Sequence, residues 1–152
     1  MADGVEVSAV REEEFETLLP LIAAYQRFYE VDDIDTDRNR SFFHRFLAPS
    51  DDGLLLAARD ETGTILGYAC LYWHFSSLQA LETVLMNDLF VVPETRGRGV
   101  GRALIEATAA VARERRAAWV EWSTAPDNHT AQRLYDSLTE EKSTWLSYEL
   151  DV

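Results

Sequence analysis

The run Asn87-Asp88-Leu89-Phe90-Val91-Val92-Pro93-Glu94-Thr95-Arg96-Gly97-Arg98-Gly99-Val100-Gly101 passes from an apolar strand pattern, through a glycine-rich turn, into a helical one. That order of elements makes an anion site. The amides of a first helical turn have no intrahelical acceptor, the helix dipole favours negative charge there, and glycine lets a backbone close on a ligand. Arg96, Arg98 and Arg102 put three guanidinium groups within seven residues of a chain whose net charge is -13. So local an exception points to a phosphate ligand. A merely capped helix would explain one glycine, but not three alternating with arginines. A nucleoside-triphosphate loop is excluded, because Gly101-Arg102-Ala103 lacks its terminal Lys-Ser/Thr pair. A dinucleotide loop stays open: its glycine spacing is poorly met, but Glu121 stands where a ribose-binding acid would.

The elements that must hold this turn follow from periodicity. Residues 5–10 form a short strand, and Phe15, Leu18, Leu19, Ile22 and Tyr25 recur at helical spacing over 12–29. The acidic loop Glu30 to Asp35 comes next. Thr36 or Asp37 caps a second helix through Phe42, Phe43, Phe46 and Leu47, which Pro49 ends. Residues 54–59 and 65–75 make an antiparallel pair, 83–92 a third long strand stopped by Pro93, and 99–116 a helix. A strand over 119–124, a helix over 129–138 and a last alternating strand over 144–150 complete the order β-α-α-β-β-β-α-β-α-β.

A chain of 152 residues with 47% hydrophobic content and no Pro/Ser/Gly-rich linker is expected to fold as a single domain over 1–152. Its 27 acidic residues against 14 basic ones repel phosphate backbones, which argues against nucleic acid as a partner. No stretch reaches the ~18 apolar residues of a membrane span, the best being broken by Arg59, Asp88 and Arg113. Lone Cys70 and a start without a secretory pattern suggest a cytoplasmic protein. Cys70, between Ala69 and Leu71, is read as a small buried hydrophobe. His44, His74 and His129 show no ligand spacing, so no metal is expected.

The segment Arg96-Gly97-Arg98-Gly99-Val100-Gly101 resembles the (Q/R)-x-x-G-x-(G/A) pyrophosphate signature of the GCN5-related N-acetyltransferases. Asp88 to Glu94 looks like that family's central strand, and Asn128-His129-Thr130-Ala131-Gln132-Arg133-Leu134-Tyr135 like its N-x-x-A-x-x-L/F-Y helix. The resemblance covers nearly the whole chain. It implies an α/β (α+β) fold with a mixed central sheet of six to seven strands, splayed at the centre, and an acyltransferase that moves acetyl from acetyl-coenzyme A to an amine.

By the same resemblance, the backbone of Leu89, Phe90 and Val91 pairs with the pantetheine arm, and one N–H there faces the thioester oxygen. Arg96, Gly97, Arg98, Gly99, Val100, Gly101 and Arg102 take the pyrophosphate. Asn128 contacts the cofactor or caps its helix. Tyr135 is the general acid for the leaving thiolate. Where polyamine-type members place Glu-Asp, this chain has Asn87-Asp88, so Asp88 is left as amine anchor or base. Glu82, six residues earlier, is placed by strand alternation on the face of Asp88. Tyr25 or Tyr29, with Glu30 and the rest of the acidic loop, falls where the family closes over its acceptor, which suits a small cationic amine. Trp145 and Glu141 are implied near the pocket of a homodimer partner. A coenzyme A-binding regulatory module without turnover, or an enzyme acting on protein lysines or termini, are the alternatives.

Overall fold

The structure, a computed structural model, describes residues 3–152. The chain divides into two compact units, one running to Trp122 and one from Ser123 to Val152. In the first, β1 (Glu6–Ala9) leads through a 3-10 turn (Glu12–Glu14) into α1 (Phe15–Phe28) and α2 (Thr36–His44). Then come β2 (Gly53–Arg59), β3 (Ile65–Ser76), β4 (Leu81–Val91), a second 3-10 turn (Pro93–Thr95), α3 (Val100–Glu114) and β5 (Val120–Glu121). The second unit holds α4 (His129–Asp136).

The sheet runs in the order β1-β2-β3-β4-β5, antiparallel throughout except for the parallel β4–β5 pair. Strand alternation sorts its residues between two helical layers. Leu55, Ala57, Tyr68, Cys70 and Phe90 form one core with Phe15, Leu18, Leu19 and Ile22 of α1 and Phe43 of α2. The opposite face takes α3, whose buried stripe is Val100, Leu104, Ile105, Thr108 and Ala112. Thr108 Oγ1 lies 3.9 Å from Met86 Sδ of β4. Between α1 and α2, Gln26 and Asn39 exchange two amide hydrogen bonds of 2.8 Å each, which satisfies the buried Asn39. The cap of α2 is Asp35, whose carboxylate accepts the Arg38 N–H at 2.9 Å, and not Thr36 or Asp37.

The expected sheet of six to seven strands is a sheet of five. The missing strand is 144–150, which has the period-two apolar pattern but no ladder among the described residues. Trp145, Leu146, Tyr148 and Leu150 are all exposed there. Alternation records a sided surface, whereas a strand exists only when a neighbour takes its backbone groups. The strand expected over 119–124 likewise shrinks to Val120–Glu121.

One ion pair ties the sheet to the start of α1. Buried Arg59, on β2, donates to both carboxylate oxygens of Glu14, through Nε at 2.9 Å and through its second terminal nitrogen. Its remaining N–H groups reach Ser8 Oγ at 2.9 Å, Ala57 O at 3.0 Å and Ala9 O at 3.3 Å. Arg11 adds its backbone N–H to Glu14 at 2.9 Å. The Arg59 hydrogen bond, outweighing burial, pulls the Glu14 carboxyl down to about 2. Because its folded-state pKa is depressed, this contribution is complete above about pH 5 and is lost as pH falls from about 4 towards 2. We expect Glu14→Gln to cost about 3–5 kcal/mol in urea unfolding at pH 7, since Arg59 then stays buried and unpaired. The difference from the parent should narrow as pH falls through that window.

Candidate active site

β4 is the strand on which the site is built. On its β5 side it is paired only at Val84 with Val120 and Leu85 with Glu121. From Met86 to Val91 no strand pairs with that edge among the described residues. The alternate backbone groups there that point away from β3, the Val91 carbonyl held by Arg96 apart, are available to an extended ligand, as strand addition requires. The open edge leads into the second 3-10 turn, which is pinned by buried Thr95: its hydroxyl donates to Val92 O at 2.9 Å, and to Leu66 O at 3.4 Å. Arg96 Nε donates to Val91 O at 3.2 Å and folds the turn back on the strand end.

Gly97 and Gly99 have φ of +76° and +82°, the left-handed region where a side chain is strained, so the glycines are required by the backbone path. Gly99 is the N-cap of α3, no side chain caps that end, and its first turn contains no acidic residue. The positive end of the helix dipole is thus left for an external anion, with Arg98 exposed beside it.

Asp88 lies on β4 within this open stretch, and its face is set by a β-bulge. The register pairs Cys70 with Asp88 but Leu71 with Met86, so Asn87 is an extra residue on β4. Directly opposed residues share a face, which puts Asp88 with Cys70 on the α1/α2 side and Met86 with Leu71 on the α3 side. Asp88 is buried at 8% exposure while Asn87 is exposed and donates Nδ2–H to the Asp88 carboxylate at 3.0 Å. Burial, only partly offset by that bond, pushes the Asp88 carboxyl up to about 6. Around it stand Tyr68, Cys70 and Tyr72 of β3. From α1, Tyr25 meets Tyr68 and Phe90 edge-on, with ring centroids 6.2 and 6.0 Å away. An aromatic-walled carboxylate with a base-like pKa can hold an ammonium and take its proton.

The same bulge separates Glu82 from Asp88. Glu82 opposes Phe75, on the α3 side, so the two carboxylates occupy opposite faces and not the shared face that alternation suggested. The carboxylate that does share the Asp88 face is Glu121, beside Leu85. Its Oε2 accepts the Trp119 indole N–H at 2.7 Å, and its Oε1 lies 3.6 Å from His74 Nδ1. Sequence reasoning gave Glu121 only the ribose role, and the largely antiparallel sheet rules out the doubly wound fold that role needs. Tyr29 ends α1, half exposed, with its ring 5.0 Å edge-on to Tyr25. Glu30 follows at φ +58°, exposed, its N–H held by Arg27 O at 3.0 Å. Arg38 binds Asp33 at 3.1 Å, so part of the acidic loop serves α2.

In the second unit, Asn128 caps α4 through its side-chain oxygen, which accepts the Ala131 N–H at 3.2 Å. Gln132 holds the incoming chain, donating to Pro126 O at 2.9 Å and Ala125 O at 3.3 Å. Tyr135 sits in the last turn of α4, half-buried.

Residues 18–138 match the acetyltransferase (GNAT) family. The chain belongs to that family. A D-amino-acid N-acetyltransferase of Saccharomyces cerevisiae is 35% identical over 134 residues, covering 88% of this chain and 83% of the relative. A thialysine N-epsilon-acetyltransferase of Mus musculus is 28% identical over 116 residues, covering 72% and 65%. Among solved structures, a probable acetyltransferase superposes with a TM-score of 0.84 at 28% identity, over 97% of both chains. The protein is therefore an N-acetyltransferase with a mixed α/β fold of the family's type. Among the described residues no helix is long and apolar enough to cross a membrane, and no three His, Cys, Asp or Glu side chains gather as a metal site.

The residues of the first unit fit the acetyl-coenzyme A on which this family draws: an unpaired strand edge for its amide-bearing arm, then an uncapped helix start with arginines for its pyrophosphate. Burial of the ionised Asp88 costs the acetyltransferase stability. Its folded-state pKa is raised, so the protein is favoured by protonation and loses stability as pH rises through roughly 4 to 6. We expect Asp88→Asn, which keeps an acceptor for Asn87, to raise unfolding stability at pH 7.5 by about 1–3 kcal/mol, while the gain vanishes below about pH 4. Thermal unfolding of the two proteins across pH 4–8 measures this.

Proposed function

We propose that this acetyltransferase acylates the primary amine of a small cationic acceptor by direct attack, with Asp88 as the base. The observation that carries the proposal is the buried Asp88 carboxyl, raised to about 6, set at the head of an open strand edge that runs into the arginine-rich turn. Acetyl-coenzyme A supplies the acetyl group as a thioester. Leu89, Phe90 and Val91 offer backbone groups to its arm, and Arg96 to Gly101 with Arg102 take its pyrophosphate. Asp88 attracts the acceptor's ammonium and accepts its proton. An amine of pKa about 10 gives up that proton unwillingly to a carboxylate near 6, but aromatic walls that exclude water lower the amine's pKa as they raise the acid's.

The freed amine bonds to the acetyl carbon as the carbon–sulfur bond breaks. Tyr135 gives its proton to the departing sulfur and takes back the second proton that the attacking nitrogen loses as it becomes the amide. That assignment rests on the family's helix, whose residues the chain keeps from Asn128 to Tyr135. The relatives named for D-amino acids and thialysine support a small amine, and Tyr25, Tyr29 and Glu30 at the end of α1 suit a cationic one.

The test is acetyl-coenzyme A-dependent thiol release against polyamines, D- and L-amino acids and short basic peptides. Release is expected with a small amine class, with kcat/KM falling tenfold per pH unit below about pH 6 as Asp88 protonates. Preference for peptides would instead favour protein acetylation. Binding of acetyl-coenzyme A without release on any amine would favour a regulatory module. Tyr135→Phe should lower kcat about 100-fold or more with little change in KM for the amine, and unchanged turnover would remove Tyr135 as the acid.

A further inference from the structure

Tyr68 is fully buried, and its hydroxyl oxygen has no hydrogen-bond partner among the described residues. A phenol could have been a phenylalanine there at no loss of packing, and an unpartnered buried hydroxyl costs on the order of 1–3 kcal/mol. Its surroundings suggest what the hydroxyl is for. Tyr68 opposes Phe90 on β4 and Cys70 opposes Asp88. Tyr68 is therefore the diagonal same-face neighbour of Asp88, roughly 7 Å away between β-carbons and within reach of a long aromatic side chain. The charge of Asp88 is the largest influence on the Tyr68 phenol after burial itself. Among the described residues the Asp88 carboxylate has a hydrogen bond only from Asn87, although an ionised carboxylate can accept about four. A buried carboxylate short of donors thus stands beside a buried donor short of an acceptor.

We propose that Tyr68 is a positioning residue for the reaction, donating its hydroxyl to the ionised carboxylate of Asp88 when that carboxylate turns within the pocket to meet the acceptor. This deepens the reading of Asp88 as the base and rests on it. The bond favours the charged form, so it keeps the base ionised at neutral pH against the desolvation of its site. Other groups also stand around Asp88. Cys70 is pushed up by burial and Tyr72 to about 12, so both stay neutral. From α1, Tyr25 packs edge-on to Tyr68, while Arg45 of the α2 end acts on Tyr72. Asn87 is on the bulge, and Glu121 with His74 lies further along the same face.

The experiment compares Tyr68→Phe with the parent, following the Asp88 carboxyl by carbon NMR titration from pH 4 to 9, with Asp88→Asn to assign the signal. The midpoint should rise by about 0.5–1 unit in Tyr68→Phe, and kcat/KM should fall about threefold at pH 6 but hardly at pH 8. In the parent, the Tyr68 ring signal should move with the same midpoint as Asp88. An unchanged Asp88 midpoint, with equal or higher thermal stability, would overturn the proposal and leave Tyr68 a packing residue. If instead the midpoint shifts while the acid limb of kcat/KM stays put, Tyr68 serves Asp88 but Asp88 is not the base. The two readings therefore fail separately.

Discussion

One extra residue in β4 decides what the sheet can do. Up to Met86, even-numbered side chains of this strand enter the α3 layer; after Asn87, even-numbered side chains enter the α1/α2 layer. Without that change of parity Asp88 would face α3, and Asn87 would meet the aromatic layer with no charge to offer. A bulge also bends its strand and ends pairing. Pairing with β5 stops at Leu85, two residues short of it, which leaves the following edge open towards the glycine turn. The buried Asp88 and the start of the unpaired edge thus lie beside the same local irregularity.

Two buried carboxylates in this unit show how donors decide an acid's character. Glu14 is met by a full guanidinium fork from Arg59 and a backbone N–H from Arg11, and is held at about 2. Asp88 has one neutral amide donor and is pushed up to about 6. Burial disfavours the charge in both, so the difference lies in the partners. The first arrangement stabilises the fold and has no free lone pair geometry to spare for a ligand. The second costs stability and keeps a carboxylate whose proton affinity is useful near neutral pH.

Much of this was legible in the sequence, for physical reasons that differ by element. The helices of the first unit were readable because each buries one sided stripe, which leaves a period, and strands β2 and β3 because burial on both faces leaves short continuous apolar runs. The turn was readable because positive φ at Gly97 and Gly99 leaves few other residues possible. The face of Glu82 was misjudged because period-two counting assumes an unbroken ladder, and nothing in the residue types of Met86-Asn87-Asp88 marks an insertion. The last strand was misjudged for the opposite reason: its alternation is real, but pairing depends on a partner edge that the pattern does not contain. Glu121 and Tyr68 were missed because their meaning comes from neighbours on other strands.

In the proposed reaction, the aromatic residues around Asp88 account for how a lone carboxylate beside the neutral amide of Asn87 can act as a base. A carboxylate in water has a pKa near 4 and little appetite for an amine's proton. Two routes raise that appetite: a second carboxylate close by, or exclusion of water. With Asn87 exposed and neutral, the first is absent from this strand position, and Tyr25, Tyr68, Tyr72 and Phe90 supply the second. Exclusion of water carries a condition that repulsion does not, because the same dry surroundings disfavour the ionised form that the reaction needs. A donor to the ionised form offsets this, which is the role proposed for the Tyr68 hydroxyl, itself without a hydrogen-bond partner among the described residues.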